Sequence, residues 1–515
     1  MTNKKEMSLI DWTYLVLGVA MLFGLLVRFL PGLMAGFPLN DGGMFLSMIR
    51  DLKGSGYVLP ETTSYNDLQI PYTYPPLGFY LGRLVSDVFH IPELEILRWL
   101  PPFVNLISVL AVYFLSSELL RSKPLGALAA AFYALTPGAF GWFIMGGGIT
   151  RSLGSLFLLL SVYAVFHLFR DKQWQWLLLS ILFCGLAVLS HPEAGVHTAG
   201  TCILLWIFYG RSVRSFLHAL FVAFGVLLVT SPWWGTSFSY HGVTPFISAL
   251  NSGSYGIPIW QAWLDMILAR ESYLPILLIL RLVGIGWAIW KKEYFLLAWV
   301  VFPYLVEPRS APSVAFYPLS MLTALAFAQA FPYLISRFRK DTDTTSVELH
   351  KSRAYNGILF LCLISLFVES GLYGFRLVNN SLKPADLEAM TWVKENTAQD
   401  DAFLLLTGVK SPEIDPFIEW FPALTERHSL STVQGYEWLG AGKFMEYYSA
   451  LTDLQSCTDT TCAEDWSAQI GEKYQYIVIQ TSQAEKVLAK SFTDSPKYHQ
   501  VYDSNGVEIY EITLP

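Results

Sequence analysis

Charged residues are scarce in this chain of 515 residues. Only 15% of the residues are Asp, Glu, Lys or Arg, whereas 53% are hydrophobic, and a soluble globular chain carries about 25% charged residues. The chain has no basic tract and no row of aromatic residues that could stack on bases, so no nucleic acid is expected as a partner. The first apolar segment lacks a small-residue cleavage site, so no cleavable signal peptide is predicted. The composition therefore indicates a protein that is largely embedded in a lipid bilayer.

The chain is rich in long apolar segments. A transmembrane helix needs roughly 20 mostly apolar residues, and the sequence offers about eleven such segments. Residues 74–90 are also apolar but include Arg83 and Asp87, which predicts a helix at the membrane interface. The fold class is therefore a mainly α polytopic membrane protein. The predicted spans are residues 10–30, 96–117, 125–143, 152–169, 174–190, 195–209, 214–231, 273–290, 294–306, 313–334 and 355–377.

Lys and Arg mark alternate loops between these spans. Basic residues concentrate in the short cytoplasmic loops of membrane proteins, so the N-terminus and these loops are predicted to be cytoplasmic. With eleven spans, residues 380–515 follow on the outer side of a plasma membrane, after a transmembrane domain of residues 1–379. The basic residues concerned are Lys4, Lys5, Arg121, Lys123, Arg170, Lys172, Arg211, Arg214, Lys291, Lys292, Arg337, Arg339, Lys340, Lys351 and Arg353.

The last part of the chain has a different charge and a different pattern. Residues 380–515 carry 9 Lys and Arg against 21 Asp and Glu, whereas the rest of the chain carries 25 against 20. Helical and strand patterns alternate here, which predicts one small α/β domain. Cys457 and Cys462 are close together, and a local disulfide fits an oxidising compartment better than two free thiols. The predicted helices are Pro384–Thr397, Gly440–Leu451 and Cys462–Ile470, and the predicted strands are Ala402–Leu406, Tyr476–Ile479 and Val507–Ile512.

The first outer loop, residues 31–95, is long, and loops of that length are uncommon without a functional role. Asn40 and Asp41 lie near its start, directly before a helical pattern from Met44 to Leu52. One interpretation is that either side chain caps this helix. The other is that Asp41 is a carboxylate held at the membrane surface as a general base. Polar motifs gather on this same face, which favours the second interpretation.

Three further outer motifs are candidates for a site, and the first two of them also admit a structural interpretation. The glycines 146–148 would let the backbone approach a ligand closely, and Arg151 suits a phosphate. The alternative is a tight turn between two helices, with an Arg side chain that extends to the solvent. His191 and Glu193 could relay a proton or bind a metal, or simply end a helix before Pro. Glu307 precedes Arg309, a second candidate for a phosphate. The outer stretch 257–269 is amphipathic and predicts an interfacial helix.

The joint placement of these motifs resembles the GT-C class of integral-membrane glycosyltransferases. That class includes protein O-mannosyltransferases, aminoarabinose lipid A transferases and oligosaccharyltransferase catalytic subunits. The topology resembles the class over nearly the whole chain, from the long first outer loop to the external α/β domain. The motifs that carry the resemblance are Asn40-Asp41-Gly42-Gly43, Tyr74-Pro75-Pro76-Leu77, His191-Pro192-Glu193, Pro308-Arg309-Ser310-Ala311 and the stretch from Thr391 to Thr397.

The resemblance implies an activity and roles for individual residues. Enzymes of this class transfer a sugar from a polyprenyl-phosphate donor, so the expected partners are that donor, membrane lipids, and a lipid, protein or polysaccharide acceptor. Asp41 corresponds to the base that deprotonates the acceptor, and Arg309 and Arg151 would bind the donor phosphate. A single displacement would invert the anomeric configuration. Asn40, His191, Glu193 and Glu307 are supporting residues or candidate ligands of a divalent metal, Mg²⁺ or Mn²⁺, which the sequence does not require.

Two departures from the class pattern leave alternatives open. Many relatives have an acidic pair where this chain has Asp41 followed by Gly42, and many have an acidic residue where this chain has Gly146 to Ser152. These differences weaken the case for a metal site with two carboxylates. A flippase for a lipid-linked glycan, or a non-catalytic scaffold with the same fold, therefore remain as alternative functions.

Overall fold

A computed structural model shows a mainly helical protein that continues into a small mixed sheet. The structure describes residues 8–252, 260–261, 263–264, 275–339, 350–440, 442–481 and 486–513. The amphipathic stretch predicted over 257–269 lies largely outside these residues. The helices up to residue 377 are α1 (Leu9–Ala35), α2 (Gly43–Gly54), α3 (Leu77–Phe89), α4 (Glu93–Leu119), α5 (Lys123–Ala134), α6 (Gly148–Asp171), α7 (Trp174–Ser190), α8 (Pro192–Tyr209), α9 (Val213–His241), α10 (Thr244–Ser252), α11 (Ile276–Lys291), α12 (Tyr294–Val301), α13 (Pro303–Val306), α14 (Ala311–Leu325), α15 (Phe331–Arg339) and α16 (Arg353–Leu377).

Helices occupy every predicted span, but they differ in length. Within the described part of the chain, six helices are long and apolar enough to cross a membrane, and a bent pair would make seven. The chain is thus an integral membrane protein, while the total of eleven spans stays a prediction. The six begin at Leu9, Glu93, Gly148, Val213, Ala311 and Arg353.

The bent pair corrects the prediction of one continuous span over residues 125–143. α5 ends at Ala134, and residues 137–144 run at 92° to it. Thr136 is extended because the following Pro137 disfavours the helical conformation. The bend frees backbone carbonyls, and buried Arg28 of α1, which the sequence analysis missed, donates to the carbonyl of Ala134 at 2.8 Å. Ser370 of α16 donates to the next carbonyl, that of Leu135, at 2.8 Å.

The first outer loop is itself folded. It begins one turn later than predicted, because α1 extends to Ala35. After α2, strands β1 (Thr62–Thr63) and β2 (Ile70–Pro71) pair antiparallel. A helix, α3, is present within the predicted range 74–90, and its location at the membrane interface stays a prediction. The loop is therefore a compact layer with its own packed side chains.

The chain after residue 380 forms a five-stranded sheet with helices on both faces. Its strands are β3 (Ala402–Leu406), β4 (His428–Ser429), β5 (Tyr476–Gln480), β6 (Tyr498–Ser504) and β7 (Val507–Ile512). Their order in the sheet is β4-β3-β5-β7-β6, in which β3 pairs parallel with β4 and β5, and β7 pairs antiparallel with β5 and β6. The helices are α17 (Pro384–Asn396), α18 (Pro416–Thr425), α19 (Lys443–Leu454), α20 (Thr460–Ile470) and α21 (Lys486–Thr493). A disulfide joins Cys457 and Cys462 between α19 and α20, with their Cα atoms 5.5 Å apart.

One face of this sheet shares a hydrophobic core with the first outer loop. Successive strand residues point to opposite faces, so Phe403 and Leu405 face one side and Leu404 and Leu406 the other. The first pair packs in one buried cluster with Ile49 of α2, whereas the second pair packs in a separate cluster with Trp466 of α20. Burial of apolar area contributes roughly 25 cal/mol per Å², so the shared core holds α18 firmly against α2.

Candidate active site

Asp41 lies where the first outer loop meets the start of α6. The backbone N–H of Gly146 donates to the carbonyl of Leu39 at 2.9 Å, and that of Gly147 donates to the carbonyl of Asp41 at 3.1 Å. A Cβ on Gly146 would collide with the carbonyl oxygen of Asp41. The glycines before α6 are therefore needed because two backbone segments run in direct contact.

The carboxylate of Asp41 is held by α6 rather than by α2. Gly147 donates its N–H to Oδ1 at 3.1 Å, and Nη2 of Arg151 contacts Oδ1 and Oδ2 at 2.9 and 2.8 Å. The N-terminus of a helix carries a partial positive charge that stabilises an anion. The N-cap of α2 is Gly42, so neither Asn40 nor Asp41 is its capping residue.

Asn40 fixes the backbone on the other side of Asp41. It adopts a left-handed φ of 52°, which Asn tolerates better than most residues. Its N–H donates to the carbonyl of Asn380 at 2.5 Å, and its carbonyl accepts from Nε1 of Trp420 at 2.7 Å. The supporting role predicted for Asn40 remains a prediction about function, but the residue links the loop to the chain beyond residue 380.

Arg151 is held in a defined orientation beside Asp41. Its Nε donates to the carbonyl of Trp142 at 3.2 Å, and its guanidinium lies over the Trp142 ring at 4.8 Å from the centroid. The side chains of Arg151 and Asp41 are 22% and 18% exposed, so the pair is sheltered but reachable. A planar guanidinium with several donors suits a phosphate oxygen as well as a carboxylate.

His191 lies near Arg151 and also near a second group of predicted residues, Glu193, Glu307 and Arg309. It ends α7 and precedes Pro192, the first residue of α8, and Pro is well suited to that position. Burial and the charges of Arg151 and Arg309 lower the pKa of His191 to about 3. The imidazole is therefore neutral at ordinary pH and can donate one hydrogen bond and accept another.

The second group contains Glu193, Glu307 and Arg309. Nε of Arg309 lies 3.7 Å from Oε1 of Glu193, and half of the Arg309 side chain is exposed. Glu307 accepts from the N–H of Arg309 at 2.8 Å and from the hydroxyl of Ser310 at 2.6 Å, and it lies 3.4 Å from Nε2 of His197. These hydrogen bonds outweigh burial and lower the pKa of Glu307 to about 2, so Glu307 remains an anion.

Two aromatic side chains, Tyr74 and Trp438, form an aromatic wall beside His191. The Tyr74 ring lies 6.1 Å from His191 and 5.9 Å from Trp438, measured between centroids. The hydroxyl of Tyr74 lies 3.4 Å from that of Thr150 in the first turn of α6. Trp438 comes from the chain beyond residue 380, so that part contributes directly to the site. Tyr74 belongs to the motif Tyr74-Pro75-Pro76-Leu77, which carries the resemblance in the sequence, whereas Trp438 was not predicted.

Glu419 of α18 is the most important residue that the sequence analysis missed. Its Oε1 accepts the N–H groups of Gly42 and Gly43 at 2.8 and 3.1 Å, directly beside Asp41. The sequence did contain a signal for the start of the helix that carries Glu419. Asp415 precedes Pro416, and Asp is a favoured N-cap and Pro a favoured first residue of a helix. Asp415 does accept from the N–H of Phe417 at 2.9 Å and starts α18.

The donor set at Asp41 does not fit a divalent metal ion. Both of its carboxylate oxygens contact Arg151, whose positive charge would repel a cation at the same position. In the ranges that the structure describes, no group of three or more His, Cys, Asp or Glu side chains is arranged to hold a metal.

Comparison with known proteins identifies the class to which this fold belongs. Residues 73–235 match the family model of dolichyl-phosphate-mannose-protein mannosyltransferase, which covers less than half of the chain. No curated protein matches the sequence significantly. Among solved structures, the chain is similar to the oligosaccharyltransferase AglB from Archaeoglobus fulgidus in complex with an inhibitory peptide and a dolichol-phosphate. The TM-score is 0.57 and the identity 14%, and the match covers 98% of this chain and 74% of that one.

A second similar structure is the arabinofuranosyltransferase AftD from Mycobacteria. Its TM-score is 0.59 and its identity 13%, over 99% of this chain and 40% of that longer chain. At such low identity the likeness defines the fold, and both proteins are glycosyltransferases of the GT-C class. The chain therefore has the GT-C fold of integral-membrane glycosyltransferases, and the resemblance seen in its sequence is confirmed.

Proposed function

We propose that the chain transfers a sugar from a polyprenyl-phosphate donor to an acceptor at the extracytoplasmic face of the membrane. The observation that carries this proposal is the contact between the Asp41 carboxylate and Arg151 at the N-terminus of α6. It places a potential base next to a potential phosphate ligand, inside a GT-C fold. Arg309 supplies a second positive charge across His191.

The chemistry of the donor explains why such a small set of groups suffices. A polyprenyl phosphate leaves as a stable anion, so the leaving group needs little protonation. The acceptor nucleophile does need to lose a proton, and a positioned carboxylate can accept it. Arg151 and Arg309 would stabilise the negative charge that develops on the phosphate. Attack opposite the leaving phosphate inverts the anomeric carbon.

The ion pair between Asp41 and Arg151 also provides a way to couple donor binding to base activity. The phosphodiester of the donor, a monoanion, competes with Asp41 for the guanidinium, because charge-assisted contacts to phosphate are among the strongest that Arg makes. As Arg151 engages the phosphate, the carboxylate of Asp41 is released from the ion pair and its oxygens become available to the acceptor's proton.

The acceptor is a lipid, a protein or a growing polysaccharide that reaches the aromatic wall of Tyr74 and Trp438. The orientation follows from the basic loops: the N-terminus is cytoplasmic, and residues 380–515 form an outer domain that closes over the site. His191 and Glu193 orient the bound substrates, and Glu307 fixes the loop that carries Arg309.

Because Arg151 takes the position that a metal would need at Asp41, transfer is expected to proceed without a divalent ion. Purified protein reconstituted in vesicles should keep its initial rate, within about twofold, after EDTA treatment. Added Mg²⁺ or Mn²⁺ should then have no activating effect. A loss of activity that either ion restores would show that a metal takes part and would contradict this assignment.

The direct test of the function is transfer from a panel of radiolabelled polyprenyl-phosphate sugars in reconstituted vesicles. Time-dependent release of the carrier phosphate, with label appearing on an acceptor, is the expected result. Saturable donor binding with label moving between leaflets but no bond cleavage would instead support a flippase. Binding of glycan without turnover or movement would support a scaffold, and both outcomes would overturn the proposal.

A further inference from the structure

A buried carboxyl group from the chain beyond residue 380 contacts the backbone next to Asp41. Oε1 of Glu419 accepts two consecutive N–H groups, those of Gly42 and Gly43, and the residue is only 5% exposed. Gly42 has a φ of 138°, a conformation that residues with a side chain rarely adopt. Glu419 therefore stabilises an unusual backbone conformation in the residue that follows Asp41.

The packing around Glu419 leaves no room for side chains at residues 42 and 43. A Cβ on Gly43 would approach the carbonyl oxygen of Glu419 to 2.5 Å, and one on Gly42 would approach the Trp420 ring to 3.0 Å. The hydroxyl of Tyr65 donates to the same Glu419 carbonyl at 2.7 Å. These contacts explain why two glycines follow Asp41 in this chain: α18 lies where side chains at residues 42 and 43 would be.

The electrostatics favour an uncharged acid at this position. Burial raises the pKa of Glu419 well above its usual range, and the negative charge of Asp41 raises it further, against the opposing effects of Arg151 and the two backbone donors. A neutral Glu419 still accepts hydrogen bonds through its carbonyl oxygen. It does so without adding a second negative charge that would compete with Asp41 for Arg151.

We propose that Glu419 is a positioning residue: its hydrogen bonds to the Gly42 and Gly43 amides hold Asp41 in the geometry that meets Gly147 and Arg151. This inference rests on the proposed transferase function for its kinetic consequence, but its structural consequence is independent of it. The outer domain then does more than cover the site. One of its side chains sets the orientation of the base.

Two substitutions separate this role from simple packing. Glu419→Gln keeps an oxygen acceptor of the same length and removes the ionisable group, whereas Glu419→Ala removes the acceptor. Glu426→Gln is the matched control, because Glu426 follows the last residue of the same helix, is exposed and pairs with Lys394. All three proteins are compared with the unmodified chain in detergent, and thermal unfolding identifies variants that fail to fold.

The first measurement is hydrogen–deuterium exchange of the peptide that covers residues 39–46. Glu419→Ala is expected to accelerate exchange at Gly42 and Gly43, while Glu419→Gln and Glu426→Gln leave it close to that of the unmodified chain. Unchanged exchange in the Ala variant would overturn the proposal. This measurement needs no substrate, so it is decisive even if the transferase proposal fails.

The second measurement is steady-state kinetics with a donor that the unmodified chain uses. Glu419→Ala should lower kcat roughly 10- to 100-fold with little change in donor KM, because a misplaced base affects the chemical step. Glu419→Gln should retain most of the activity. An equal loss in both Glu419 variants would show that the charge of Glu419 matters. Equal activity in all variants would show that Asp41 is positioned without Glu419. Either result would overturn the proposal. Absence of transfer by the unmodified chain would instead refute the proposed function.

Discussion

Asp41→Asn is expected to reduce sugar transfer by roughly 10²–10⁴-fold, the usual contribution of a general base. Asn has nearly the same shape, and its side-chain oxygen can still accept from Gly147 and Arg151, whose donors lie 2.8–3.1 Å from the present carboxylate. The amide cannot accept a proton at ordinary pH, so the loss should appear in kcat. Donor KM should stay the same or fall, because Arg151 is no longer paired with an anion and is freer to meet the phosphate.

Asp67→Asn is a suitable control for this experiment. Asp67 is an exposed residue of the same loop with a left-handed φ of 52°, which Asn also tolerates. The Asp67→Asn variant should retain full transfer activity. Full activity in Asp41→Asn, with the unfolding temperature unchanged, would remove Asp41 from the proposed mechanism and leave the arginines without a base beside them.

The sequence was most informative where the physical signal is local. Apolar length located the helices, and strand alternation located β3, β5 and β7, because both periodicities arise within one segment. Asp41 and Arg151 could each be singled out, since a carboxylate and a guanidinium next to a membrane span are unusual. The activity itself was inferred from resemblance, since these residues could equally have served a cap and a turn.

The parts that the sequence did not reveal depend on long-range contacts. Glu419 meets Gly42 across 377 positions of the chain, and no local pattern marks a buried acid that binds distant backbone amides. The bend after α5 was missed because its freed carbonyls are satisfied by Arg28 and Ser370 from other helices. The paired glycines after Asp41 looked like a departure from the class, whereas the structure shows that α18 occupies their side-chain space.

Arg151→Gln is expected to have the second large effect, a loss of roughly 10²–10³-fold in kcat/KM for the donor, comparable with removing one oxyanion donor. The substitution removes a charge that lies 2.8 Å from Asp41 and over the Trp142 ring. Arg309→Gln should cost less, because half of the Arg309 side chain is exposed and its nearest carboxylate oxygen, on Glu193, is 3.7 Å away. Arg211→Gln, an exposed arginine after α8, should have no effect on transfer.

Arg151→Lys distinguishes a charge requirement from a geometric one. Lys restores the positive charge but cannot contact Asp41 and the Trp142 carbonyl through two separate nitrogens or keep the same stacking on the Trp142 ring. If Arg151 both binds the donor phosphate and controls Asp41, Lys should recover donor KM more fully than kcat. Equal recovery of both kinetic constants would mean that Arg151 acts only as a point charge on the phosphate, and the release of Asp41 by donor binding would have to be abandoned.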